Sequence, residues 1–423
     1  MPRFNRSTLI SKPAWACRLL AVCALIGAGL PAPALAQGLT LTQALAQAMA
    51  ANPQLAAARQ EIGIAQGARD QAGVMPNPEL SYEVEDTDRN SSTTTVTLSQ
   101  ALELGGKRGA RIEAASYGQS VAQLELARQV NSLRADVVET FHAALRAQVG
   151  VDLARQSQQL GERGLKVVDG RVRAGKSSPV EATRAQVELA EARLQLRRAE
   201  TEQAMAYQNL ALISGSATAD VQRLDAPSLS PGLPPSSVDL LARLEETAEM
   251  RHALAVIDQS DAALGSEKAL RVPNLTVSVG SQYDRTVRER VNVVGLSMPL
   301  PLFDRNQGNV LSAARRADQA RDQRNAVEQR LRSETQTALL QWTRAMHEVE
   351  TYEQTILPAA QQALDSATRG FEMGKFGFIE VLDAQRTLIT ARGQYLDSLG
   401  AASAARAQVE RIYGDLDGAV AAR

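Results

Sequence analysis

Apolar and polar positions in this chain follow two periods, and the period changes at regular places. Residues 40 to 73 are Ala-rich with helical spacing, and residues 238 to 270 repeat that pattern. Each stretch leads into two short alternating segments, which predict a strand pair, and then into two long helical stretches. The first long stretch has no proline from Gly109 to Asp169, a helix of about 90 Å at 1.5 Å per residue. Its later counterpart runs from Asn306 to Leu357. Return helices follow Gly175 and Gly374, with apolar residues seven apart at Val180, Val187 and Leu194 in one. The other has Val381, Leu388 and Tyr395 beside Leu382, Ile389 and Leu396. That spacing predicts long antiparallel hairpins with coiled-coil packing. The fold class is therefore mostly α with a small β part, each half a rod carrying a strand pair.

The two halves read as one unit written twice. Met75-Pro-Asn-Pro-Glu-Leu80 returns as Val272-Pro-Asn-Leu275, Leu98-Ser99 as Leu296-Ser297, and Arg173-Ala-Gly-Lys176 as Glu372-Met-Gly-Lys375. The matching residues lie 197, 198 and 199 positions apart, so order and distance hold over three separate landmarks. The Pro/Ser-rich stretch from Ala226 to Ser237 cannot continue a helix and reads as the linker. Residues 37–225 and 226–423 are the two expected repeats.

The first 36 residues stand outside that scheme. Arg3, Arg6, Lys12 and Arg18 precede the apolar run Leu19 to Leu30 and the small-residue end Pro31-Ala-Pro-Ala-Leu-Ala36. This is the pattern of a secretory signal with cutting expected after Ala36, and the apolar run is too short to span a bilayer as a helix. Cys23 follows Val22 and is itself followed by further apolar sequence, which argues against a lipid-anchored cysteine. Removing the four leader cations from 46 Lys+Arg leaves 42 against 47 Asp+Glu, a mature net charge of −5. With no basic excess and 4% aromatic residues, nucleic-acid binding is disfavoured. Both cysteines, Cys17 and Cys23, lie in the leader and the chain has three histidines, so disulfide, cysteine-metal and metalloenzyme chemistry are poorly supplied.

The alternating segments separate apolar from polar residues. Leu80, Tyr82 and Val84 alternate with Ser81, Glu83 and Glu85, and Val96 and Leu98 with Thr95, Thr97 and Ser99. In the second half Leu275, Val277, Val279 and Tyr283 alternate with Thr276, Ser278, Gln282 and Asp284, while Val291 to Leu300 is less cleanly patterned. Polar connectors from Asp86 to Ser92 and from Arg285 to Arg290 make two hairpins. The alternation fits membrane strands with lipid outside and water inside, and it fits a half-buried sheet of a soluble domain equally. If these strands enter a membrane, four cannot close a barrel, and open edges in hydrocarbon force oligomerisation.

Leu104-Gly-Gly-Lys-Arg-Gly109 at the first strand-to-helix junction and Pro299-Leu-Pro-Leu-Phe-Asp-Arg-Asn-Gln-Gly308 at the second carry a more specific likeness. With the leader, the duplication, Ile356-Leu-Pro358, Gly374 and Val381-Leu-Asp-Ala-Gln-Arg386, the chain resembles the TolC-like outer membrane efflux proteins. Within them it is most similar to the CzcC-type branch serving heavy-metal RND pumps. The resemblance implies a homotrimer in which a 12-stranded outer membrane β-barrel continues into a 12-helix periplasmic α-barrel. It implies outer membrane lipid, a periplasmic adaptor (membrane fusion protein) and an inner-membrane RND pump as partners. By the same resemblance Glu380 and Asp383, with Glu181 in the first hairpin, line the periplasmic mouth as a gate and selectivity ring. Adaptor docking would fall at the hairpin tips, Gly175, Lys176, Gly374 and Lys375, and the barrel lining at Glu83, Glu85, Gln282 and Asp284. Phe376 and Phe378 depart from the polar residues that some relatives carry at the tip.

Two motifs compete with that picture. Gly170-Arg-Val-Arg-Ala-Gly-Lys-Ser177 satisfies the phosphate-loop pattern, but a charged helical stretch rather than a buried strand precedes it. A hairpin turn accounts for it better, with Gly175 ending one helix and Ser178-Pro-Val-Glu181 opening the next as a capping box. Glu139-x-x-His142 is half of a di-iron motif, and His252 and His347 provide no second half, so all three are expected as solvated helix-surface histidines. No Ser/His/Asp set or paired carboxylates stand out, so no catalytic residue, cofactor or resident metal is expected. The expected function is that of the outer membrane channel of a tripartite efflux system for divalent heavy-metal cations of the cobalt, zinc, cadmium and nickel class. A channel for drugs or secreted proteins is the alternative, and a periplasmic coiled-coil adaptor is the reading from another class.

Overall fold

The computed structural model describes residues 38–86, 88, 90–215, 223–226 and 230–416, so the leader and its cleavage site lie outside the described residues. Helices dominate, in the order α1 (Leu41–Ala51), α2 (Pro53–Ala72), strands β1 (Glu79–Glu85) and β2 (Thr93–Leu102), then α3 (Lys107–Arg173) and α4 (Pro179–Ile213). The second round comprises α5 (Ser237–Ala242), α6 (Ala248–Ala269), β3 (Leu275–Asp284), β4 (Glu289–Ser297), α7 (Gln307–Thr351), α8 (Leu357–Glu372) and α9 (Phe378–Tyr413).

Local chemistry explains the breaks. The expected helix over residues 40 to 73 is two helices. Thr40 caps α1 through a reciprocal bond pair with Gln43, and Asn52 accepts from the N–H groups of Gln54 and Leu55 to start α2 at Pro53. α3 has 67 residues, about 100 Å. Between α7 and α8 the helix widens into a π-turn over Tyr352–Ile356. Pro358, just beyond it, lacks the N–H that would bond the carbonyl four residues back, and the wider turn absorbs that defect. Both long outgoing helices start from a left-handed residue, Gly106 before α3 and Asn306 before α7. At Gly105 the backbone passes so close to Val272 that a Cβ would lie 2.6 Å from it, which accounts for glycine there.

The two hairpins join into a single antiparallel sheet of order β1-β2-β3-β4, because β2 also pairs β3 along its length. α4 packs chiefly on α3, whereas α9 packs on α3, α7 and α8. Near the sheet, α6 lies between α3 and α7. The core is a chain of separate clusters along the rod. One gathers Val137, Phe141, Leu210 and Leu224, another Leu364, Phe371, Phe378 and Leu388 near the turns. A strap closes the first round, with Leu39 N donating to Arg223 O at 2.9 Å. The second round is fastened by the Trp342 indole, which donates to Gly232 O at 3.1 Å.

Two expectations fail. The spacing of Val180, Val187 and Leu194 is not the hairpin seam, since these side chains are 57, 53 and 51% exposed. The buried seam is Ala185, Leu189 and Ala192, and Gly161 of α3 lets Leu189 approach closely. His142 is not solvated. It is buried between α3 and α9 with Nδ1 lacking a hydrogen-bond partner. Burial and then the charges of Arg406 and Arg146 push its pKa down to about 4, so the ring is neutral at physiological pH. Of the other histidines, His252 is half-buried beside Glu125 and His347 is exposed.

Candidate functional site

Both hairpin tips close with the same device. At the first, Lys176 N donates to Arg171 O at 2.8 Å and Gly175 N to Val172 O at 3.0 Å. At the second, Lys375 N donates to Gly370 O at 2.9 Å and Gly374 N to Phe371 O at 3.0 Å. These are the two bonds of a Schellman motif, with φ at 70° for Gly175 and 73° for Gly374. Gly170 to Ser177 is therefore the end of a helix and its turn, with no strand before it. Ser178 caps α4 by accepting from Val180 N, but Glu181 does not complete the expected capping box. Glu181 is half-buried instead, with Oε2 enclosed and unpartnered.

The structure brings the two tips together. Arg171 spans them: Nη1 donates to Phe371 O at 2.8 Å, Nε donates to Ser177 Oγ at 3.2 Å, and the guanidinium lies 4.5 Å from the centre of the Phe371 ring. Phe371 and Phe378 meet with ring centres 5.5 Å apart and planes tilted by 51°, and Phe376 covers Gly370, where any Cβ would collide with its ring. The two aromatic departures thus have distinct places, Phe378 in the core and Phe376 on the surface. Lys176 and Lys375 are exposed at the turns.

Glu380 and Asp383 sit on the exposed face of α9, opposite buried Val381 and Leu382. The Glu380 carboxylate folds back over Gly377, the residue that caps α9, where it complements the helix N-terminus. Glu181 does not join the pair in a metal-holding cluster; among the described residues no group of three or more His, Cys, Asp or Glu is placed to hold a metal. One turn beyond Asp383, Arg386 donates to Glu188 Oε2 at 3.0 Å, with the Glu188 side chain only 10% exposed. Sequence reasoning missed both Arg386–Glu188 and Arg171. Glu188 follows Val187 in the seven-residue spacing and was hidden by it, and no local pattern announces the partner of Arg171, 200 residues away. Next to the tips, α3, α8 and α9 enclose a polar groove of about 670 Å³ lined by Gln156, Arg163, Asp365, Arg369, Gln385 and Arg392.

At the other end of the rod the register sorts the sheet into two faces. Leu80, Leu98, Val279 and Val294 form one row, flanked on the same face by Tyr82 and Val96 and by Val277 and Leu296. On the opposite face Glu83, Thr95 and Gln282 lie in one row, and Glu85, Thr93, Asp284 and Glu289 in the next. All four expected lining residues therefore share the polar face. β4 breaks the separation, with Val291 and Val293 on the polar face and Asn292 and Arg290 on the apolar one, which is why its pattern was obscure. β1 and β4 are open edges within the chain. No described helix is long and apolar enough to cross a membrane.

The chain thus joins a four-stranded sheet with one largely apolar face to paired helical hairpins. The family described as Outer membrane efflux protein matches residues 44–216 and 242–415, and the chain belongs to that family. It is an outer membrane protein that extends into the periplasm. It is 41% identical to the cobalt-zinc-cadmium resistance protein CzcC of Cupriavidus metallidurans over 378 residues, 89% of this chain and 90% of that protein. It is 28% identical to the nickel-cobalt-cadmium resistance protein NccC of Alcaligenes xylosoxydans xylosoxydans over 232 residues, 54% and 52% of the two chains. The fold is that of solved outer membrane channels. CusC superposes with a TM-score of 0.74 at 18% identity, covering 88% of this chain and 92% of its own. The outer membrane protein VceC of Vibrio cholerae gives 0.73 at 18%, covering 89% and 97%.

Proposed function

We propose that this protein is the exit channel of a tripartite, RND-driven efflux system that exports divalent heavy-metal cations. The observation that carries the cargo is the 41% identity to a cobalt-zinc-cadmium resistance protein over nine-tenths of both chains. Three copies close a 12-stranded barrel and a 12-helix tunnel, because two open sheet edges in hydrocarbon leave backbone groups unpaired and another copy satisfies them. The exposed row Val180, Val187 and Leu194 on α4 supports the same assembly, being a coiled-coil stripe without a partner inside the chain.

Residues 1–36 act as the export signal, and residues 37–225 and 226–423 are the two repeats. The adaptor docks at the tips around Gly175, Lys176, Gly374 and Lys375, while the inner-membrane pump supplies energy. Glu83, Glu85, Gln282 and Asp284 face the barrel water and the apolar face meets lipid. Glu380, Asp383 and Glu181 set the charge of the periplasmic mouth, where carboxylates attract cations yet must release them for conduction. The test is a deletion strain challenged with a panel of metal salts and organic toxicants. Sensitivity to cobalt, zinc, cadmium or nickel, restored by the intact gene, supports the reading. Sensitivity confined to organic compounds moves the cargo to drugs.

A further inference from the structure

The apolar row of the sheet does not stop where the sheet stops. β4 ends at Ser297, yet Met298 and Leu300 continue the period-two sequence pattern of Val294 and Leu296, and the chain then turns at Pro301, where Leu302 N donates to Leu300 O at 2.9 Å. Leu300, Leu302 and Phe303 are 71, 66 and 90% exposed, the last the highest value of any large apolar side chain described. Pro299 and Pro301 have no N–H to offer another strand, so this extension is poorly suited to pairing with a neighbouring chain. The matching junction of the first half is finished differently: Glu103 pairs with Arg111, and only Leu102 and Leu104 are left exposed there.

A cationic border adjoins the ribbon. Asn306 donates to Glu267 O at 2.9 Å, and Arg108 Nε donates to Gly73 O at 2.6 Å, so the ends of α2 and α6 and the starts of α3 and α7 meet at one level. Arg108, Lys268, Arg271 and Arg305 are exposed there. Of the nearby acids, Glu103 is taken by Arg111, Glu267 accepts from Asn306, and Asp304 accepts from Asn306 N. Apolar side chains that run out into a border of guanidinium and ammonium groups match the boundary of a bilayer. The apolar part enters the acyl region and the cations meet headgroup phosphates.

We propose that Met298–Phe303 is a membrane-interface anchor, seated at the boundary between headgroups and acyl chains of the periplasm-facing phospholipid leaflet and held by anionic headgroups. This rests on the reading that the sheet is in the membrane. With its position fixed by the ribbon at the end of β4, the barrel is pinned in depth at its periplasmic rim.

The test replaces Phe303 with Trp, and separately Leu80 with Trp, in the mature protein from Gln37, which lacks Trp15, reconstituted into phosphatidylethanolamine/phosphatidylglycerol vesicles brominated either near the headgroup or deep in the chain. Buried Trp342 is the constant background of the parent protein. Phe303→Trp should show blue-shifted emission and lose more intensity to shallow than to deep bromine, and Leu80→Trp should be quenched as well. If Leu80→Trp is quenched but Phe303→Trp is not, the anchor is refuted while the membrane sheet stands; blue-shifted, unquenched emission then assigns the segment to a protein contact. Stronger quenching of Phe303→Trp by deep bromine refutes the interfacial position. Quenching of neither variant refutes the membrane reading from which the anchor follows. Arg271→Gln with Arg305→Gln should weaken shallow quenching in vesicles containing phosphatidylglycerol and leave it unchanged in purely zwitterionic ones; equal quenching in both refutes the headgroup contact.

Discussion

The two return helices share one inner face and differ on the outer one. At a spacing of 199 residues, Leu189 matches Leu388 and Ala192 matches Ala391, and all four are buried. On the outside, Val180, Val187 and Leu194 of α4 match Ile379, Arg386 and Gly393 of α9. The packing explains the contrast. α9 is held between α3 and the α7–α8 rod, so its own heptad, Val381 and Leu388, is buried, whereas α4 has α3 on one side and an apolar stripe on the other. The inner seam makes a hairpin; the outer face decides what the hairpin meets. In the second hairpin that face carries Arg386, which reaches back to Glu188, and in the first it carries the exposed stripe on which the proposed assembly rests.

The comparison breaks most completely if the α4 stripe is charged. Val187→Asp with Leu194→Asp should leave the helical content of the protomer intact and abolish assembly, read by size-exclusion chromatography in detergent beside circular dichroism. The same measurement on Arg386→Asp, at the matching position of α9, should leave assembly in place.

Truncating the inner seam attacks the hairpin itself. Leu388→Ala should cost about 2–5 kcal/mol, as deletion of a fully packed leucine does, seen as a lower denaturant midpoint. The matching Leu189→Ala should cost a similar amount, and a near-neutral result at either position would show that the two seams are not equivalent.

His142 sharpens the account of the α3–α9 contact by its pH dependence. Its folded pKa of about 4 lies below the unfolded value, so the unfolded chain binds the proton first as pH falls. Stability is full above roughly pH 6.5 and declines toward pH 4, by about 3 kcal/mol for this one group. His142→Leu should flatten that part of the profile, measured by chemical denaturation across the range.

The smallest effect falls at the tips. Gly374→Val places a β-branched residue at φ 73°, with no steric contact near the added Cβ, so the penalty comes from the backbone alone. About 1–2 kcal/mol of local strain is expected. Metal resistance should fall while the protein still reaches the outer membrane; unchanged resistance would remove the tip from the docking account.

The elements were legible in the sequence because period two and helical period alternate cleanly, and the turns because Gly-Lys recurs at a fixed distance. The polar face of the sheet was legible too, since one register carries Glu83 and Gln282 to the same side. What stayed hidden depended on third parties. A seven-residue spacing marks an apolar face without saying whether the occupant is in the same chain, so Val180, Val187 and Leu194 were placed in the wrong seam. His142 was assigned to the surface because Glu139-x-x-His142 has no second half to make a metal site, and burial against α9, which carries Arg406, is not visible in the local sequence. β4 was obscured by valines on both of its faces.

The central claim is that one chain supplies an unfinished wall, open at both sheet edges and along α4, which copies of itself complete. Native mass spectrometry of the detergent-extracted mature protein tests this most directly. The predicted result is a trimer that persists on dilution, and a stable monomer would contradict it.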